Sequence, residues 1–85
     1  SELTGNARFE LNQRIQSLLY GDDGYGGLMS QEMEGVDTED REAVARASEK
    51  ILNRVRLLYE RIGGGVPDQI RNAIVDYTIN YKSGS

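Results

Sequence analysis

The feature that most limits what this chain can become is a helical period sustained between Asp37 and Ile62. At about 100° per residue, Val44, Ala47, Ser48, Ile51, Leu52, Val55, Leu58, Tyr59 and Ile62 fall on one face roughly 140° wide. A strand cannot hold such a face together, because its side chains switch sides at every step. The spacing predicts a core helix over 38–62. Asp37 or Thr38 is its expected N-cap, and Glu39, Asp40 and Glu42 sit in its first turns. Arg54, Arg56 and Arg61 crowd the far end, where the helix dipole favours cations. Gly63-Gly64-Gly65 then supplies the stop, and Pro67 has the fixed backbone angle suited to the first turn of another helix.

Two further helices follow from the same arithmetic. Over 67–81, Ile70, Ala73, Ile74, Tyr77 and Tyr81 share a face at three- and four-residue steps, while Val75 and Ile79 form a second apolar strip on the other side. Over 7–20, Leu11, Ile15, Leu18 and Leu19 cluster, whereas Phe9 and Tyr20 point away; Thr4 or Asn6 is the expected cap and Gly21 the stop. The connection over 21–37 is rich in glycine and acids. Within it Ser30 is placed to cap one or two helical turns reaching Glu34, closed by Gly35. Residues 82–85 read as a frayed tail. The expected fold is therefore a single all-α domain, a small three-helix bundle with a short extra helical turn in the first inter-helix connection.

Composition removes most chemistry. The 85 residues include no Cys and no His, which excludes disulfides, thiolate and Ser-His catalysis and Cys/His zinc sites. Asp22 and Asp23 in a glycine loop invite a calcium reading, but counting from Asp22 puts Met33 at the twelfth position, and counting from Asp23 leaves Tyr25 and Gly27 where oxygen ligands are needed. Neither glycine stretch carries the Lys-Ser/Thr of a phosphate loop. Asp22-Asp23 and Asp37-Asp40 are the available carboxylate pairs, in hydrophilic surroundings unsuited to raising a proton affinity. No catalytic residue, cofactor, metal or small-molecule substrate is expected. No apolar run approaches the length of a membrane span and no segment reads as a signal peptide, so the default compartment is cytoplasmic. The chain opens at Ser1 rather than Met, which a cleaved tag, a processed form and an excised fragment would each produce.

What remains points to contact between macromolecules. A chain this short has a thin stability margin, so apolar side chains left outside the core favour self-association, as a homodimer first. Leu57, Val75 and Ile79 are the expected protein interface, with Phe9 and Tyr20 as second-choice anchors. The charge pattern offers a second reading. Arg46, Lys50, Arg54 and Arg61 line one ridge of the middle helix, which suits an acidic partner or a phosphate backbone. The net charge of −4 argues against nucleic acid, and Asp22 to Asp40 holds seven acids and no base. The expectation is a non-catalytic interaction or assembly module, an adaptor. The alternatives are a regulator of nucleic-acid or transcription machinery using the ridge, or a structural subunit of a larger particle.

Overall fold

The computed structural model describes residues 2–22 and 26–82, with side chains from residue 6 onward. It is all-helical. The order is α1 (Glu2–Tyr20), α2 (Leu28–Met33), α3 (Arg41–Glu60) and α4 (Asp68–Asn80), with no strand among the described residues. Asp23, Gly24, Tyr25 and the tail from residue 83 onward lie outside the described residues. The fold is a small helical bundle, and the extra turn expected in the first connection is a short helix of its own, α2, which sits at the middle of the packing.

The ends of α3 are set by hydrogen bonds and fall inside the expected span. Asp40 is the N-cap, its carboxylate accepting from the N–H groups of Glu42 and Ala43 at 3.1 and 3.2 Å. Asp37 is unavailable for that role, because its carboxylate accepts from Glu39 N–H at 3.0 Å in a turn of its own, which Asp40 N–H closes on the Asp37 carbonyl. At the other end Gly63 adopts φ +78°, Gly63 N–H donates to the Glu60 carbonyl, and Gly64 N–H reaches back to that of Tyr59. This double closure ends the helix before Arg61 and Ile62, so no basic residue lies in its last turn. Arg8 of α1 lies there instead: a Cβ on Gly64 would stand 2.6 Å from its guanidinium, which thus sits over the carboxyl end of α3.

α4 starts one residue later than expected, with Pro67 as N-cap at φ −60° and ψ 146° and its carbonyl accepting from Arg71 N–H. α1 starts five residues earlier, at Glu2, so Thr4 and Asn6 lie within the helix and not before it. Extending a helix already anchored by packed turns costs little per residue compared with starting one.

α2 packs against α1, α3 and α4 at once. Leu28, Met29 and Met33 are all buried. Gly27 is its N-cap; Ser30 lies within the first turn, its hydroxyl donating to the Gly27 carbonyl at 3.1 Å, and so caps nothing. Gly27 is also where α2 meets the end of α1. A Cβ there would lie 2.5 Å from the Tyr20 carbonyl carbon and 2.6 Å from Gly21 N, and would press on the Leu19 carbonyl oxygen. Only a residue without a side chain permits that approach.

The core unites Ile15 and Leu19 of α1, Leu28 and Met29 of α2, Ile51, Leu52, Val55 and Tyr59 of α3, and Ile70 and Ile74 of α4. Two expectations about it are corrected. Leu18 is 47% exposed, because the buried stripe of α1 centres on Ile15 and Leu19 and Leu18 lies about 80° round the helix from that centre. Ile62 is 37% exposed, having left the helix at the glycine turn. The buried polar groups are paired. Tyr59 donates its phenol proton to Asn12 Oδ1 at 2.5 Å, joining α3 to α1, and Thr78 donates to the Val75 carbonyl at 3.0 Å. The radius of gyration is 13.6 Å, against about 12 Å for a compact chain of this length, so the bundle is somewhat drawn out.

Candidate interaction surface

α3 hides one face in the core and turns the other outward. On the outer face Leu57 is 63% exposed, with Arg54 three residues before it and Arg61 four after. Arg46 and Lys50 continue the line, and all four bases are exposed. The helix repeat therefore does bring Leu57 and the basic ridge together. Arg46 approaches Glu42 at 4.0 Å, but both side chains stand in water, where such a pair contributes little. Among the described residues no carboxylate lies within 4.0 Å of Lys50, Arg54 or Arg61.

On α4 the expected strip is divided. Ile79 is 67% exposed, but Val75 is half-buried. The cause is a rotation of the helix. Its buried row is Ile70, Ile74 and Thr78 at four-residue steps, centred about 50° further round than a stripe of Ile70, Ala73, Ile74 and Tyr77 would be. Burial of Thr78, possible because its hydroxyl bonds within the helix, draws Val75 to the edge of the core and leaves Ala73 at the opposite edge.

On α1, Phe9 is 63% exposed and Tyr20 41%. They are eleven residues apart, roughly 16 Å along the axis, and do not form one patch. Tyr20 instead meets Tyr77 of α4 edge to face, ring centroids 6.1 Å apart, and Tyr77 in turn meets Tyr81 at 5.8 Å. Sequence periodicity places Tyr77 and Tyr81 on one face of α4 but carries no signal that joins them to Tyr20. The Arg8 position over the end of α3 and the Asn12–Tyr59 hydrogen bond were equally invisible in it.

The perturbed groups here are tyrosines. Burial raises the Tyr59 phenol above its ordinary value, and the nearby Arg8 cation pulls partly the other way. Burial likewise raises Tyr77, helped by Tyr81 and Tyr20 beside it. Both therefore stay protonated at neutral pH, which Tyr59 needs in order to donate to Asn12.

The carboxylates considered for acid–base work have structural uses where they are described: Asp37 closes its turn and Asp40 caps α3. Asp22 is exposed and Asp23 lies outside the described residues. Among the described residues no group of three carboxylates is placed to hold a metal, and no helix is long and apolar enough to cross a membrane. No protein-family model, curated protein or solved structure matches the chain.

Proposed function

We propose that the protein is a non-catalytic interaction or assembly module that self-associates through apolar side chains left outside its core. The observation that carries this reading is Leu57, held 63% exposed on the outer face of α3 within a line of cations, with Ile79 at 67% on α4 as the second contact. Covering a large aliphatic side chain is worth about 1.5–3 kcal/mol relative to leaving it in water. Phe9 is the further anchor. Val75 supports Ile79 from the rim of the core, and Tyr20 contributes only the part of its ring that Tyr77 leaves free. The Cys-free composition fits a reducing compartment, and the cytoplasm is the setting we assign.

Sedimentation equilibrium tests it. The expected result is a species of twice 9.5 kDa at micromolar concentration, returned to 9.5 kDa by Leu57→Asp or Ile79→Asp with unchanged far-ultraviolet circular dichroism. A wild-type chain that stays at 9.5 kDa up to hundreds of micromolar overturns self-association.

A second reading, a regulator that binds nucleic acid or the transcription machinery, is favoured by one observation. Lys50, Arg54 and Arg61 are exposed and carry no ion pair among the described residues. Such binding falls steeply with salt and is lost on Lys50→Glu, whereas Ile79→Asp leaves it intact. A place as structural subunit of a larger particle is the third reading and rests only on small size and acidity.

A further inference from the structure

Between the carboxyl end of α1 and one flank of α4 lies an open groove of about 700 Å³, lined by Tyr20, Gln69, Asn72, Ala73, Asp76 and Tyr77. The α4 residues follow three- and four-residue steps, so one stripe of the helix forms the floor. At its end the rings of Tyr20 and Tyr77 stand at 72° to each other, giving a corner with two aromatic walls. The small Ala73 leaves the floor low. Besides the two phenols, the polar side chains of the lining are one carboxylate, Asp76, and the amides of Gln69 and Asn72. No Lys or Arg lines it, and among the described residues none lies within 4.0 Å of Asp76.

We propose that this corner binds the guanidinium of an arginine side chain presented by a partner polypeptide. Aromatic faces attract cations, and a flat, weakly hydrated guanidinium stacks on a tyrosine ring better than a compact ammonium does. Its fork of N–H donors matches the Asp76 carboxylate and leaves further donors for the carbonyl oxygens of Gln69 and Asn72. A quaternary ammonium has no donor to satisfy those oxygens. An anion meets the Asp76 charge with no cation beside it. Burial raises the proton affinity of Tyr77, which keeps its ring neutral, and Asp76 supplies the one carboxylate among the lining residues. The assignment deepens the reading that this protein works through protein contact, and it rests on that reading for the source of the arginine.

The probe is N-acetyl-arginine amide, with the uncharged N-acetyl-citrulline amide and N-acetyl-lysine amide as comparators. Binding is followed by NMR of the Tyr20 and Tyr77 rings and of the Gln69 and Asn72 amides, and by fluorescence, which is tyrosine's alone because the chain has no Trp. The expected result is saturable shifts at millimolar arginine amide, with citrulline and lysine amides weaker by about fivefold or more. Asp76→Asn and Tyr20→Leu each weaken arginine binding by about fivefold while the circular dichroism is unchanged, as suits exposed positions. Shifts of equal size with citrulline, no shift at all, or unchanged binding in Asp76→Asn overturns the site. The sedimentation experiment fails or succeeds independently: a 9.5 kDa chain that binds arginine amide refutes self-association only, and a dimer that ignores it refutes this site only.

Discussion

The shortest helix of this protein touches all three others, while the longest leaves much of its circumference in water. α2 has six residues, no side-chain cap and no acidic residue in its first turn, and every apolar residue it owns is buried. α3 has twenty residues, an aspartate cap closed by two hydrogen bonds, a glycine stop and a clear apolar face, yet it carries Leu57 and a row of bases outward. Isolated helices shorter than about 12–15 residues are marginal in water, so α2 exists because its neighbours enclose it. α3 is closer to self-sufficient, and its spare surface is available for contact. The lesson is that length and local signal measure how well a helix can stand alone, whereas centrality depends on how many neighbours it closes against.

Substitutions at four positions break or sharpen this contrast. Met29→Ala removes a fully buried side chain of α2 and is expected to cost about 2–5 kcal/mol in urea unfolding. The same truncation at Leu57 on α3 should stay within about 0.5 kcal/mol in a dilute, unassociated sample. Equal losses at the two sites would remove the distinction. Gly27→Ala comes next, at about 1–3 kcal/mol, because its new methyl meets the backbone of α1. Its φ of −75° suits alanine, so a loss in thermal or urea stability reports the approach of α2 to α1 and not a strained dihedral; a stabilised variant would show that α2 can move away freely. Asp40→Ala follows, at about 1 kcal/mol, through the lost cap of α3, and Asp40→Asn should recover most of it. Hydrogen exchange should place the Asp40→Ala change in the first turn of α3 and leave α2 protected.

Much of the surface reading was accessible because it needs only local geometry. Leu57 follows from its angle on a helix whose opposite face is apolar, and Ile79 from standing opposite Ile70 and Ile74. Val75 failed because a threonine that satisfies its own hydroxyl can be buried, and periodicity counted by hydrophobicity gives Thr78 no such place. Leu18 failed because its neighbour Leu19 took the core position and the two lie about 100° apart. The aromatic corner depends on Tyr20 and Tyr77, fifty-seven residues apart, meeting edge to face.

The sequence by itself determined that the chain is helical, where α3 lies, that glycine ends it, and that Leu57 and Ile79 face away from their own helix's apolar side. These follow from a repeat of 3.6 residues and from backbone angles that each residue prefers on its own. Only the tertiary structure decided that α2 is the shared centre, that α4 is rotated toward Thr78, that Arg8 covers the end of α3, and that Tyr20 and Tyr77 form a corner beside Asp76. Those outcomes depend on which helix faces meet, and that choice is made by close packing between segments distant in the chain, to which a local period is blind.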